Sequence, residues 1–306
     1  MRKVVMDMVY ELAKKDPRIF FIGSDLGTEV LKNFKQEMPG RFLMEGISEQ
    51  HLIGMAAGLA AEGKVVYLNT IATFLTRRCF EQIVLDLCLH KTNVRLISSG
   101  GGIVYAPLGP THLAIEDIAI LRVIPNMTIL APADAEEMRR LMPATVDYPG
   151  PIYIRLGKGG DPIVAPNVPF EIGKGYVIRE GADALIVTTG VTLKVALDAA
   201  DQLVKENVNV SILHLPTIKP LDTKTILDSV AKVSSIVVVE EHTVLGGLGS
   251  AVAEVLMEAN FSTPKKFKMI GIPDVFPEGY GSQASMMEKY GITAKNVVET
   301  VKKLNQ

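Results

Sequence analysis

Short runs of β-branched and aliphatic residues alternate with helical patterns along this chain of 306 residues, and this alternation limits its fold more than any other feature. In the first half, helical patterns at 1–15, 49–62, 74–89 and 133–146 lie among the runs RIFFIG, KVVYLN, NVRLIS, MTILAP and PIYIRL. Such alternation is typical of a mostly parallel sheet with helices packed on it. The sequence therefore predicts an α/β fold.

The alternation stops once and then begins again. Glycines and prolines break it in GKGGDPIVAPNVP, after which the runs GYVIRE, ALIVTTG, NVSILH, SSIVVVEE and FKMIGI follow. A chain of this length also exceeds the usual size of a single hydrophobic core. We expect two domains, 1–160 and 171–306, each a mostly parallel sheet flanked by helices, with a linker at 161–170.

Charge and hydropathy exclude several classes of protein. The chain has 32 basic and 34 acidic residues, a balance that gives no electrostatic basis for binding nucleic acid or an anionic membrane. Its longest aliphatic runs, such as 236–239, are too short to span a bilayer. The opening MRKVVMDMVYELAKKD lacks the uninterrupted apolar stretch of a signal peptide. We expect a cytoplasmic protein that acts on small molecules and protein partners.

Cysteine and histidine spacing gives no sign of a metal or redox site. Cys79 and Cys88 lie nine residues apart, which fits neither a CxxC pair nor a set of zinc ligands. The five histidines lack the close spacings of metal sites. We therefore expect no metal site within this chain and two reduced cysteines with a packing role.

Glu49 stands at the start of the helical stretch MEGISEQHLIGMAAGLAAEG. Ser48 before it is a capping residue type, and a carboxylate in the first turn interacts with the helix dipole by about 0.3–1 kcal/mol. The stretch is built mostly of small and aliphatic residues, so we expect its first turn to be buried. Burial raises the pKa of a carboxyl group and lets it hold a proton. Glu49 is therefore either a capping residue or a proton-exchanging group.

A loop rich in glycine and proline, from Tyr105 to His112, leads into the helical stretch LAIEDIAILRVIPN. Loops of this kind often carry binding residues on a rigid scaffold. A lone histidine is more often structural than catalytic, so His112 alone is weak support for a site.

Three separated stretches share a resemblance to one family. MEGISEQHLIGMAAGLAAEG, TFLTRRCFEQIVLD and GPTHLAIEDIAILRVIPNMTILAPAD, in this order and spacing, resemble the pyrimidine-binding domain of transketolases and of deoxyxylulose-phosphate synthases. The later stretch EEHTVLGGLGSAVAEVL is similar to the C-terminal domain of the same superfamily. The resemblance implies a thiamine-diphosphate enzyme that moves a two-carbon ketol unit from a ketose phosphate to an aldose phosphate.

The resemblance also implies roles for the residues that bind the cofactor. Glu49 matches the acid that meets N1′ of the aminopyrimidine and favours its imino tautomer, which then removes the proton from the thiazolium C2. Phe74 matches the ring that packs on the pyrimidine, although a plain core phenylalanine is a serious alternative. Arg77 matches an arginine near this ring, or is simply solvated. Ile71 stands where the synthases have an aromatic residue, which predicts a differently built pocket.

Substrate contacts follow from the same resemblance. His112 matches a histidine that contacts substrate hydroxyls or the developing oxyanion. Arg155 matches an arginine that binds sugar phosphate, for which its planar fork is suited; a surface salt bridge is the alternative. Leu108 stands where transketolases usually have an aspartate that contacts a substrate hydroxyl, which leaves the sugar stereospecificity open.

Full-length relatives carry a preceding domain whose GDG motif and later asparagine bind Mg²⁺ and the diphosphate, and no GDG occurs in this sequence. Because a diphosphate needs a cation and backbone donors, the chain alone is expected to bind the cofactor poorly. The resemblance therefore implies a split transketolase. A separate N-terminal subunit would hold the diphosphate and metal, and the assembly would be α2β2.

Four alternatives remain open. The chain could be the β subunit of a 2-oxoacid dehydrogenase, or an enzyme like deoxyxylulose-phosphate synthase. It could also be an assembly or regulatory module without catalysis. The last alternative is a nucleotide-binding protein. The glycines of 246–251 follow a strand and open a helix, as in a dinucleotide-binding turn, but the third glycine of that motif is absent. We favour a tight turn there, with His242 nearby and unassigned.

Overall fold

The computed structural model describes residues 1–24 and 31–306, and each half of the chain folds around a sheet of its own. The strands of the first half are β1 (Ile19–Gly23), β2 (Phe42–Met44), β3 (Val65–Ile71), β4 (Val94–Ser99), β5 (Thr128–Leu130) and β6 (Ile152–Arg155). The helices of the first half are α1 (Arg2–Lys15), α2 (Lys32–Glu37), α3 (Glu49–Ala61), α4 (Ala72–Arg78), α5 (Phe80–Gln82), α6 (Asp117–Arg122) and α7 (Ala135–Ala144).

The second half has the same kind of elements. Its strands are β7 (Tyr176–Arg179), β8 (Ala184–Thr188), β9 (Val210–His214), β10 (Thr217–Lys219), β11 (Ser235–Thr243) and β12 (Lys266–Ile272). Its helices are α8 (Thr192–Val204), α9 (Thr223–Ala231), α10 (Leu248–Glu258), α11 (Gln283–Lys289) and α12 (Ala294–Asn305).

Both sheets are mostly parallel. The first has the order β10-β5-β6-β4-β3-β1-β2, and only its edge strand β10 runs antiparallel to its neighbour. The second has the order β12-β11-β8-β9-β7, with β7 antiparallel to β9. The predicted α/β class, with two mostly parallel sheets flanked by helices, is confirmed.

The strand β10 joins the halves in a way that the sequence did not indicate. It follows β9 of the second half, yet it pairs with β5 at the edge of the first sheet. Three residues are too few to show a strand pattern, and only the pairing identifies them as a strand. The first sheet is therefore completed by residues beyond the predicted linker 161–170. The boundaries predicted for the two domains stay predictions.

The helix predicted over 74–89 is only partly correct. The structure has α4, the short α5 and then a π-helical segment, Ile83–Leu89, in place of one continuous α-helix. The cysteines within and beside this region are free and buried, as predicted. Burial raises the pKa of both thiols, Cys79 and Cys88, to about 12, so both are held as unreactive thiols with a packing role.

Helices cover both faces of the first sheet, so its central strands are buried on both sides. Polar side chains collect instead at the carboxyl ends of the strands, the edge where open α/β sheets bind ligands. Ser24 follows β1, Thr70 and Ser99 lie at the ends of β3 and β4, and Arg155 ends β6. This edge holds the candidate site. In the described part of the chain, no helix is both long and apolar enough to cross a membrane.

Candidate active site

Glu49 is the first residue of α3 and is only 2% exposed. The expected cap from Ser48 is wrong, because the Ser48 side chain makes no hydrogen bond to the helix start. Its hydroxyl donates instead to the backbone carbonyl of Glu45 at 3.1 Å. The predicted burial of the first turn of this helix is correct at Glu49.

The carboxylate of Glu49 is held by side chains and not by its own helix. Arg78 Nη1 donates to Oε2 at 2.6 Å, and the Thr70 hydroxyl lies 3.5 Å from Oε1. Thr70 in turn accepts a hydrogen bond from Ser24 at 3.0 Å. Among the residues that the structure describes, Oε2 therefore has a strong partner and Oε1 has only the long contact with Thr70.

Arg78 also covers the aromatic ring next to Glu49. Its guanidinium carbon lies 4.5 Å from the centroid of the Phe74 ring, within the range of a cation–π contact. Phe74 is half-buried and lies four residues before Arg78 in α4, so one helix face presents both side chains. Arg78 was not among the predicted site residues, although this spacing of four residues could have indicated it.

Arg77, the arginine that the resemblance indicated, points elsewhere. Its guanidinium makes an ion pair with Glu116 and donates to the Leu113 carbonyl at 2.9 Å. It lines a cavity of about 490 Å³ to which the second half of the chain contributes Thr243 and Phe276. Arg77 is therefore held by an ion pair and is not simply solvated, and its predicted place near the Phe74 ring stays a prediction.

His112 ends a short 3₁₀ turn and reaches the same site. Its ring centroid lies 5.2 Å from that of Phe74 in an edge-to-face arrangement, and its Nδ1 lies 2.9 Å from the Thr111 hydroxyl. Gly109, with φ +77°, makes the turn before it possible. Glu49, Phe74 and His112 therefore lie together, with Arg78 between Glu49 and Phe74.

Arg155 lies beneath this site in a buried ion pair. Its Nε donates to Asp117 Oδ2 at 2.8 Å, and its Nη2 donates to the backbone carbonyls of Ala114 and Glu241. Burial by itself would raise the pKa of Asp117, but the charge and hydrogen bonds of Arg155 hold it below its usual value. Arg155 does form a salt bridge, but it is buried and not at the surface. These bonds favour a structural role over the predicted contact with a sugar phosphate.

Two further residues of the prediction have apolar side chains and lie in the segments that lead to His112 and Phe74. Leu108 is 49% exposed in the loop before His112, and Ile71 is half-buried at the end of β3, three residues before Phe74. Their roles toward cofactor and substrate stay predictions.

The glycine turn of 246–251 is filled by a side chain of the protein itself. Glu240 accepts hydrogen bonds from the backbone N–H groups of Leu248 at 2.7 Å and Gly249 at 2.9 Å. A Cβ at Gly247 would lie 2.2 Å from Glu240 Oε2. The helix start that would bind an anion is thus already neutralised, which supports the tight turn and argues against a nucleotide site.

His242, unassigned from the sequence, has a structural role between the two halves. Its Nδ1 lies 2.7 Å from the Thr243 carbonyl, and its Nε2 lies 3.3 Å from the backbone N–H of Ala119. This pattern suits a neutral ring with its proton on Nδ1. Across residues 1–24 and 31–306, no group of three or more His, Cys, Asp or Glu side chains is arranged to hold a metal ion.

Both halves of the chain match models of known families. Residues 1–160 match the pyrimidine-binding domain of transketolase, and residues 173–297 match the transketolase C-terminal domain.

Individual relatives agree with these matches. The 6-deoxy-6-sulfo-D-fructose transketolase subunit SqwH of Clostridium sp. (strain MSTE9) is 36% identical, over 100% of this chain and 94% of its own length. The 1-deoxy-D-xylulose-5-phosphate synthase of Trichormus variabilis is also 36% identical, but the match spans 98% of this chain and only 47% of that enzyme.

A solved structure described as a split gene transketolase, inactive beta4 tetramer, has a TM-score of 0.90 and 38% identity, and covers 99% of this chain and 97% of its own. The chain therefore belongs to the transketolase family, as the C-terminal section of a two-component, thiamine-diphosphate-dependent transketolase.

Proposed function

We propose that this chain supplies the pyrimidine site and part of the substrate site of an enzyme that moves a two-carbon ketol unit between sugar phosphates. The observation that carries the proposal is the buried carboxylate of Glu49, which Arg78 links to the half-buried ring of Phe74, while the imidazole of His112 lies against the same ring. All three stand at the carboxyl edge of the first sheet, where α/β folds bind ligands.

The residues fit the aminopyrimidine ring of thiamine diphosphate. Such a ring needs a carboxyl group that exchanges a proton with one ring nitrogen, and a flat apolar surface against its face. Glu49 and Phe74 provide these two features. Ile71, half-buried at the start of α4, would add to the apolar wall.

This chain's own groups suggest a division of tasks. When bound, the cofactor supplies the nucleophilic carbon that cleaves and remakes the bond next to the ketose carbonyl. Glu49 holds and returns a proton at N1′ of the pyrimidine. His112 donates a hydrogen bond to a substrate hydroxyl or to a developing oxyanion, provided that Nδ1 accepts from Thr111 and the ring proton is on Nε2. Leu108, exposed beside it, offers an apolar contact to the sugar.

Arg78 would compete with the pyrimidine ring of the cofactor for Glu49 and Phe74. It lies on both the Glu49 carboxylate and the Phe74 ring, the two groups that the pyrimidine needs. Its side chain is 44% exposed and therefore free to move toward solvent. Cofactor binding then exchanges the ion pair between Arg78 and Glu49 for contacts to the pyrimidine.

The diphosphate and Mg²⁺ belong, in this proposal, to a separate N-terminal subunit with a GDG motif, in an α2β2 assembly in the cytoplasm. The support is that relatives matched over nearly their full length are described as a transketolase subunit and as a split gene transketolase, and that a diphosphate needs a divalent cation. Pentose phosphates are the first substrates to test. The buried Arg155 would hold the protein framework beneath them and leave phosphate binding to other groups.

The test is reconstitution. We expect the purified chain with Mg²⁺ and thiamine diphosphate to be inactive on xylulose 5-phosphate and ribose 5-phosphate, and to gain activity with the GDG-bearing subunit. In that assembly, Glu49→Gln should lower kcat by roughly 10²- to 10⁴-fold, because an amide cannot exchange the proton. Glu45→Gln is the matched control, since Glu45 is exposed in the preceding turn. Turnover by the single chain, or full activity of Glu49→Gln, would contradict the proposal.

A second candidate function rests on the similarity to 1-deoxy-D-xylulose-5-phosphate synthase over 98% of this chain. The same assembly, given pyruvate and glyceraldehyde 3-phosphate, distinguishes the two. Release of carbon dioxide with these substrates, and no transfer between sugar phosphates, would favour the synthase.

A further inference from the structure

A buried carboxylate of the second half reaches the loop that carries His112. Glu241, in β11, is 3% exposed, and its Oε1 accepts a hydrogen bond from the backbone N–H of Ile103 at 2.9 Å. The same oxygen accepts from Gln283 Nε2 of α11, also at 2.9 Å. Two elements of the second half thus meet at the start of a loop of the first.

The bond to Ile103 lies at the base of the loop. Gly102 and Ala114 exchange two backbone hydrogen bonds of 2.9 Å, which close the segment 103–113 between them. His112 stands near the end of this closed segment. A Cβ at Gly102 would lie 2.6 Å from the carboxyl carbon of Glu241, so glycine is needed for this close approach.

The opposite side of the base is held by Arg155 of β6, which also bonds to the second half. Arg155 Nη2 donates to the carbonyl of Ala114 at 3.1 Å and to the carbonyl of Glu241 at 2.9 Å. One guanidinium therefore links the end of the loop to β11. Farther along the loop, Gly109 lies against the ring of Tyr280, where a Cβ would approach within 2.8 Å.

We propose that Glu241 is a positioning residue for His112: from the second domain, it fixes the start of the loop 103–113 and so sets where the imidazole stands relative to Phe74. The inference rests on the proposed function of His112. It gives the second domain a part in substrate binding, although Glu241 does not itself touch the site.

Three substitutions at Glu241 separate the effect of side-chain length from that of the carboxyl group. Glu241→Gln keeps the length of the side chain and an oxygen that accepts from Ile103. Glu241→Asp keeps the carboxyl group but withdraws the oxygens by one methylene, and Glu241→Ala removes them. Glu137→Gln is the matched control, because Glu137 is also buried and also joins the two halves, through His214 at 3.1 Å, but lies on α7 away from the loop.

Hydrogen–deuterium exchange of the full chain tests the anchoring without any assay of activity. We expect Glu241→Asp and Glu241→Ala to speed exchange in peptides covering 101–114 by at least about tenfold, with Glu241→Gln close to wild type. Glu137→Gln should leave these peptides unchanged. Wild-type exchange at 101–114 in Glu241→Asp and Glu241→Ala would overturn the proposal, as would equal acceleration in all interdomain peptides.

Kinetics of the assembled enzyme test the consequence. A misplaced imidazole should lower kcat/KM in Glu241→Asp by roughly 10- to 100-fold, and Glu241→Gln should restore it to within about threefold. A fully active Glu241→Asp enzyme whose loop exchanges faster would refute the positioning of His112. If Glu241→Ala does not fold, the difference between Glu241→Asp and Glu241→Gln still tests whether Glu241 positions His112. Loss of the proposed function itself would appear differently, as an inactive wild-type assembly with a protected loop.

Discussion

Two buried glutamates at helix starts, one in each half of the chain, have opposite surroundings. Glu240 gives both carboxylate oxygens to backbone N–H groups at the start of α10. Glu49, in the first turn of α3, gives its oxygens to Arg78 and Thr70 instead. Glu240 lies in β11 and caps a helix from outside, whereas Glu49 lies on a helix and is a candidate proton carrier. The difference shows that the partners of a carboxylate, and not its nearness to a helix start, decide what it can do.

The largest expected effect on stability follows from removing the cap. Glu240→Ala leaves two buried N–H groups without partners, and each lost bond to a charged group costs about 1.5–3 kcal/mol. We expect the free energy of unfolding to fall by roughly 3–5 kcal/mol in urea denaturation. The activity per folded molecule in the assembled enzyme should not change. Glu49→Gln should give the reverse pattern, and matching patterns in the two variants would remove the contrast.

Glu241 is a third buried glutamate, and it should make the stability of the folded chain depend on pH. Burial raises the pKa of Glu241 to about 7, and the charge of Asp117 adds to the rise. The charge of Arg155 and the hydrogen bonds from Gln283 and Ile103 act in the opposite direction. The folded chain therefore keeps a proton that the unfolded chain releases near pH 4.5, so stability is lost as pH rises from about 4.5 to 7. We expect wild type to lose on the order of 3 kcal/mol relative to Glu241→Gln across this range. A difference between the two proteins that does not vary with pH would contradict this.

A smaller loss of stability is expected from a substitution in the glycine turn, next to the carboxylate of Glu240. Gly247→Ala would bring a methyl group 2.2 Å from Glu240 Oε2 and 2.6 Å from His242 Nδ1. Such overpacking costs about 1–3 kcal/mol. Gly54→Ala is the control, since a Cβ at Gly54 meets no atom within 4 Å. Equal unfolding midpoints for the two variants would show that the close approach around Glu240 is relaxed in solution.

The smallest loss of stability is expected from substitutions of two neighbouring arginines, Arg77 and Arg78. Arg78→Ala removes the partner of Glu49 and the contact with Phe74, whereas Arg77→Ala removes the pair with Glu116 and the hydrogen bond to the Leu113 carbonyl. Both arginines are well exposed, so the losses are modest: about 1–2 kcal/mol for Arg78 and below about 1 kcal/mol for Arg77. Thermal unfolding measures the difference. A larger loss from Arg77→Ala would show that Glu49 does not depend on Arg78.

Patterns of sequence located most of the fold because they are local. The alternation of strands and helices gave the α/β class, and the predicted strands of the central sheets all exist. The edge strand β10 escaped because three residues carry no pattern and its partner β5 lies far away in sequence. The π-helical segment Ile83–Leu89 escaped because its hydrogen bonds, and not its residue types, differ from those of an α-helix.

The sequence by itself determined the two-sheet architecture and the family, and it predicted Glu49, Phe74 and His112 as site residues. Only the tertiary structure decided which arginine lies on Glu49, since Arg77 and Arg78 differ by one position and the turn of α4 directs them to different partners. It also decided that Arg155 is buried and that Glu241 reaches the loop of His112. These contacts join residues 38 to 138 positions apart, over distances at which a linear pattern carries no information about partners.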